Sequence, residues 1–129
     1  MNEVQKTLLL TGASRGIGHA TVSFFSEKNW EIITCSREAP PEECLRDLNW
    51  SHHITADLAD ANSIDAFIEE ANALLGERPL HGLVNNAGWS PKSPIQERLG
   101  CLNGNLDAWR TVFELNFFCL LYTSDAADE

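Results

Sequence analysis

Three glycines in "TLLLTGASRGIGHA" (7–20) mark the first place where this chain could do chemistry. Gly12, Gly16 and Gly18 fall between an apolar run and a helix-like pattern. At such a junction Gly12 lets the chain turn off a strand. Gly16 lets a ligand approach the backbone, and Gly18 lets the helix pack closely on the sheet. The first turn of the helix then offers unpaired N–H groups and the positive end of its dipole. That combination suits a pyrophosphate, so a dinucleotide is the expected ligand.

Further residues with chemical potential follow at intervals. Arg15 lies inside the glycine loop, and Arg37 follows Cys35-Ser36 at the end of a second apolar run. An acid at that place would bond a ribose 2′-hydroxyl and repel a 2′-phosphate, whereas an arginine does the reverse. No acid precedes Glu38 there, so NADP is expected over NAD. The plainer alternative is that Arg37 is a solvated charge and Arg15 pairs with Glu38. Asn85 and Asn86 close a fourth apolar run, and buried amides must spend their hydrogen bonds. Asn116 falls on an apolar stripe, where a core asparagine bonded to backbone is one reading. His52-His53 reads as strand surface, because no partner ligands stand at metal-binding spacing, and no metal site is expected. Cys44 and Cys101 have no base paired to them in sequence.

The elements that would position these residues alternate. Thr7–Leu10 reads as a buried strand, followed by a helix in which Ile17, Ala20, Phe24 and Phe25 recur at helical spacing. "EIITC" (31–35) is a second strand, Pro40–Glu43 a helix start, and "HHIT" (52–55) a third strand. Asp60 should cap a helix whose stripe is Ile64, Phe67, Ile68, Ala71, Leu74 and Leu75, stopped at Gly76. A fourth strand centres on Leu83-Val84. Asp107 should open a last helix with Trp109, Val112, Phe113, Phe117 and Leu120 inward. Strands alternating with helices predict an α/β fold: a doubly wound parallel sheet with ligands beyond the carboxyl ends of its strands.

Two motifs in register, "TGASRGIG" (11–18) and "NNAG" (85–88), resemble those of the short-chain dehydrogenases/reductases, in the TGxxxGxG subtype. The resemblance runs from residue 6 to about residue 118. It implies a Rossmann-like sheet of which this chain supplies strands one to four, in the order 3-2-1-4. It implies NADP(H), with Gly12, Ser14, Arg15, Gly16, Ile17, Gly18, Ser36 and Arg37 around its phosphates and ribose. Asp57 would bond the adenine amino group and Leu58 would border the ring; otherwise Asp57 caps the following helix. Asn86, Ala87 and Gly88 would touch the cofactor, while Asn85 mainly braces the sheet. "WRTVFELNFF" is similar to the helix that carries the catalytic asparagine, which implies that role for Asn116.

The same resemblance calls for a serine and a Y-x-x-x-K further on. Tyr122 is the only tyrosine, Ala126 stands four residues later, and the lysines are Lys6, Lys28 and Lys92. No turnover is therefore expected of the chain as written. The tail "CLLYTSDAADE" (119–129) resembles the translation of a transposon-based sequencing adapter. On that reading residues 1–118 are a truncated dinucleotide-binding domain and 119–129 a non-native tail. The parent would be an oxidoreductase that moves hydride between nicotinamide and a carbonyl or alcohol carbon. The alternative is a non-catalytic dinucleotide-binding or redox-sensing protein.

Totals narrow the partners. In 129 residues, 9 basic and 19 acidic side chains give a formal charge of −10. Nucleic acid and anionic membranes attract basic surfaces, so neither is an expected partner. Four cysteines without a C-x-x-C pair or a secretory leader suit reduced thiols and a cytoplasmic setting. The expected partners are a small-molecule carbonyl or alcohol substrate and, for the parent, further copies of itself.

Overall fold

The computed structural model describes residues 4–13, 16–47, 50–88, 105–113 and 116. The elements in chain order are β1 (Thr7–Thr11), α1 (Gly16–Glu27), β2 (Glu31–Ser36), α2 (Glu42–Asp47), β3 (Trp50–Thr55), α3 (Ala61–Leu75), β4 (Gly82–Asn85) and α4 (Leu106–Phe113). The four strands form one parallel sheet in the order β3-β2-β1-β4. β1 pairs with β2 from Thr7↔Glu31 to Thr11↔Cys35, and with β4 from Leu8↔Gly82 to Thr11↔Asn85. This is the Rossmann-like half-sheet that the sequence implies.

Period-two alternation along β1 and β2 divides the core into two layers. Leu8, Leu10 and Ile32 face one side with Val22, and Phe25 and Val84 pack against them. Leu9, Ile33 and Cys35 face the other, against Ile64, Phe67 and Ala71 of α3. A side chain as fully buried as Phe67 contributes about 1.5–3 kcal/mol. Both faces of β1 and β2 are covered, which is why those strands read as unbroken apolar runs.

The cap assignments on α3 hold. Asp60 accepts from the Asn62 N–H at 3.0 Å, and the Gly76 N–H donates to the Asn72 carbonyl at 2.9 Å. Two boundaries move. β3 begins at Trp50, and α4 begins at Leu106 with the Asn105 side chain accepting from the Ala108 N–H at 2.8 Å. Asn105, two residues before the expected start at Asp107, is therefore the cap, and Asp107 lies in the first turn beside the positive dipole end.

The inner face of α1 does not follow residue size. Ile17 is 79% exposed and Phe24 55%, and Ala20 is also exposed. The residues turned inward are Gly18, Val22 and Phe25. Their i, i+4, i+7 spacing is as helical as that of the larger apolar residues. The close approach at Gly18 sets the helix's rotation, so the size of the apolar residues does not identify the face. Phe117 and Leu120 lie outside the described residues.

Candidate functional site

The turn after β1 is built by backbone contacts that exclude side chains. Gly12 has φ +73°, and a Cβ there would lie 2.8 Å from the Ala87 Cα. A Cβ on Gly18 would lie 2.0 Å from the Gly12 carbonyl oxygen and 2.8 Å from Asn86 Nδ2. Gly16 has φ +62°, and a Cβ there would have nothing within 4 Å. Two glycines are thus required by protein contacts, while the third borders open space at the start of α1. Ile17 stands exposed beside it. Ser14 and Arg15, expected in this loop, lie outside the described residues.

Hydrogen bonds tie this turn to the end of β4. Thr11 Oγ1 accepts from the Asn86 N–H and the Ala87 N–H, each at 3.1 Å. Asn86 Nδ2 donates to the Gly12 carbonyl at 3.0 Å. Asn86, which has left the ladder, reaches across to β1 and so braces this turn, while Asn85 still pairs with Thr11 in the sheet. Thr11 is a brace that the sequence reading passed over, although it opens the first motif.

Beyond the carboxyl ends of the strands lies a cleft of about 740 Å³. Gly12 forms its floor, and Ser36 and Arg37 stand on one side. Asp57 and Leu58 follow from the end of β3, with Asn86, Ala87 and Gly88 from the end of β4. Eight expected site residues from four separate chain segments therefore converge. Gly18 does not line the cleft; it is buried against the Gly12 carbonyl and the Asn86 side chain. Glu38 and Thr111 also line the cleft and were not foreseen there. Thr111 carried no sequence signal, because its place depends on how α4 folds back.

Asp57 does not cap α3, since Asp60 does. Its Oδ1 instead accepts from the Ala59 N–H at 3.0 Å, and its own N–H donates to Ser63 Oγ at 2.9 Å. The carboxylate is exposed at the cleft's edge. Asn116 is half-buried, and its Oδ1 would be 3.5 Å from a Cβ at Gly88. Asn116 thus reaches the glycine that closes the β4 end of the cleft. Tyr122, Cys101, Cys119 and the segment Trp89–Lys92 lie outside the described residues.

Electrostatics at the β2 end centre on His53. His52 is exposed, as strand surface should be, but His53 turns inward. Its Nδ1 is 2.7 Å from Thr34 Oγ1 and its Nε2 3.2 Å from Ser36 Oγ. Burial lowers its pKa below 6.5, opposed by a hydrogen bond to the Glu38 backbone. The period-two alternation that puts His52 outward puts His53 inward. Among the described residues, no three histidines, cysteines or acids gather as a metal site, and no helix is long and apolar enough to cross a membrane.

A family model described as short chain dehydrogenase matches residues 6–128. The chain belongs to the short-chain dehydrogenase family. Protein FixR of Bradyrhizobium diazoefficiens is 46% identical over 112 residues, covering 86% of this chain and 40% of FixR. The NADPH-dependent 3-dehydrocapnine reductase of Ornithobacterium rhinotracheale is 28% identical over 116 residues, covering 88% of this chain and 39% of that protein. A short-chain dehydrogenase/reductase from Brucella ovis, crystallised with a partially ordered NAD, superposes with a TM-score of 0.86 at 42% identity. That match covers 96% of this chain and 56% of the Brucella ovis chain. The chain thus spans about 40% of the curated relatives named here, and the short-chain dehydrogenase relationship attaches to the half that forms the cleft.

Proposed function

We propose that this chain is the cofactor-binding half of an NADP(H)-dependent oxidoreductase that acts on a small carbonyl or alcohol substrate. The carrying observation is the β2 end of the cleft, where Ser36 and Arg37 stand in place of an acid. The residues fit a dinucleotide: the glycine turn leaves open space at Gly16, and the cleft runs from Arg37 past Asp57 to Gly88. Arg37 and Ser36 would take the 2′-phosphate, with Arg15 as a second cation from the glycine loop. Ser14, Gly16, Ile17 and the start of α1 would take the pyrophosphate. Asp57 and Leu58 would border the adenine, and Asn86, Ala87 and Gly88 the ribose beyond it. The nicotinamide supplies or accepts the hydride when bound.

Asn116, beside Gly88, would act as the asparagine of the family's proton relay. The serine, tyrosine and lysine of that relay would lie in the native continuation past residue 118, with 119–129 a non-native tail. The family match itself runs to residue 128, so this boundary rests on the tail's own sequence and on the missing Y-x-x-x-K. A cytoplasmic, self-associating parent fits the reading.

NAD is the second reading. Glu38 also lines the cleft, and the Brucella ovis relative at 42% identity was crystallised with NAD. Calorimetry of the full-length protein with each cofactor separates the two. The proposal expects NADP to bind about tenfold or more tightly. Equal affinities, or tighter NAD, would overturn it. The 129-residue chain should show no cofactor-dependent turnover on a carbonyl panel. Turnover that survives Tyr122→Phe would refute the assignment of catalysis to the continuation.

A further inference from the structure

The turn Ser36–Glu38 is held from behind by a side chain to which the NADP reading gives no part. Ser36 Oγ donates to the Glu38 carbonyl at 2.5 Å. His53 Nε2 approaches the same Ser36 Oγ at 3.2 Å, and the imidazole also bonds the Glu38 backbone. On its other side, His53 Nδ1 meets Thr34 Oγ1 at 2.7 Å.

Counting protons assigns the direction of each bond. The Ser36 hydroxyl has one proton, and it goes to the Glu38 carbonyl. Ser36 Oγ can therefore only accept from His53, so Nε2 carries the ring proton. In the neutral ring Nδ1 is then the acceptor, and the single Thr34 proton goes to it at 2.7 Å rather than to the His52 carbonyl at 3.5 Å. The β2 end is thus a chain of donors running from Thr34 through His53 to the Glu38 carbonyl.

An anion arriving beside Arg37 would want the Ser36 hydroxyl as a donor, but that proton is already committed. Turning it toward the cleft would strip the Glu38 carbonyl of a donor. The His53 Nε2–H already lies against both groups.

We propose that His53 is a positioning residue for 2′-phosphate recognition: its Nε2–H takes over the Glu38 carbonyl, so that the Ser36 hydroxyl is released to the phosphate. The inference rests on the NADP reading above. His53 does not line the cleft and touches no cofactor atom; it acts through Ser36. It discriminates between cofactors because only a 2′-phosphate requires Ser36 to change partners.

The test uses full-length protein and two probes that share an adenosine 5′-phosphate, namely adenosine 2′,5′-bisphosphate and 5′-AMP, followed by calorimetry. His53→Ala should weaken the bisphosphate roughly fivefold, the change expected for one hydrogen bond, and leave 5′-AMP unchanged. His53→Asn keeps an amide near Nδ1 but cannot reach Ser36, so it should behave like His53→Ala even if the alanine variant unfolds. His53→Gln restores a donor near the Nε2 position and should recover most of the loss. In a Ser36→Ala background the His53 substitutions should have no further effect. Equal weakening of both probes would reduce His53 to a structural brace and overturn the proposal, as would unaltered binding of both. If wild-type protein does not distinguish the probes, the NADP reading falls and this proposal with it. If wild type distinguishes them and the His53 variants do so equally well, this proposal alone falls.

Discussion

The two ends of the sheet are finished in opposite ways. At the amino ends of the strands, charged and aromatic side chains close the structure. Glu31 is nearly buried, accepts from Thr7 Oγ1 at 3.3 Å and pairs with both terminal nitrogens of Arg78. Arg78 also donates to the Leu74 carbonyl at 2.8 Å and the Leu75 carbonyl at 3.2 Å, covering the last turn of α3. The Glu31 carboxylate holds the Arg78 pKa above its usual value. Nearby, Trp30 packs edge-on against Phe25 and His81. At the carboxyl ends there are instead glycines, hydroxyls and backbone N–H groups around an open cleft. In a parallel α/β sheet the helix amino ends all gather at the strands' carboxyl ends. One end therefore inherits positive dipole ends and suits an anion. The other inherits helix carboxyl ends, which Arg78 complements. The closed end supplies stability, and the open end leaves space for a ligand.

Substitutions can break this contrast, beginning at the open end. Gly18→Ala would force a methyl group into the Gly12 carbonyl. It should destabilise the full-length protein by about 3 kcal/mol or more and abolish dinucleotide binding, as seen by thermal unfolding and calorimetry. Thr11→Val keeps the shape but leaves the Asn86 and Ala87 N–H groups without their acceptor. A loss of about 2 kcal/mol is expected, with weaker binding of NADP and NAD alike. Arg37→Ala should leave the unfolding temperature unchanged and narrow the NADP preference about tenfold. At the closed end, Arg78→Ala should lower the unfolding temperature modestly and reduce its salt dependence, since the arginine is half exposed. It should leave both cofactor affinities untouched. A change in cofactor affinity there would erase the division between the ends.

The smallest effect concerns pH. The folded state depresses the pKa of His53, so below 6.5 the unfolded chain takes up the proton more readily. His53 should therefore cost stability as pH falls from 6.5 toward its lower folded value, and cost nothing above that range. Comparing unfolding temperatures of wild type and His53→Gln across that window checks it. Wild type should lose stability relative to His53→Gln as the solution is acidified.

Much of the open end was legible because glycine has few other reasons to recur at such spacing. Gly12, Gly18, Asp60 and Gly76 each do what local chemistry demands of them. The strand order was also accessible, through the resemblance carried by two motifs. What stayed hidden depends on tertiary geometry. The inward face of α1 follows from the contact at Gly18, so large apolar residues such as Ile17 and Phe24 do not mark it. The closing pair Glu31–Arg78 joins residues far apart in sequence, and neither looks unusual alone. Asn86 braces the glycine turn as well as lining the cleft, because the strand ends just before it and frees its side chain to reach Gly12. His53, on the edge strand, contacts Ser36 from behind the cleft, a position that only the pairing of β3 with β2 reveals.

Hydrogen exchange with and without NADP tests the central claim most directly, because it reads both ends of the sheet in one experiment. The account expects slower exchange in residues 12–18, 35–38 and 86–88 of the full-length protein on adding NADP, with residues 28–31 and 78–81 unaffected. Protection centred on the Glu31–Arg78 end, or none at the glycine turn, would contradict it.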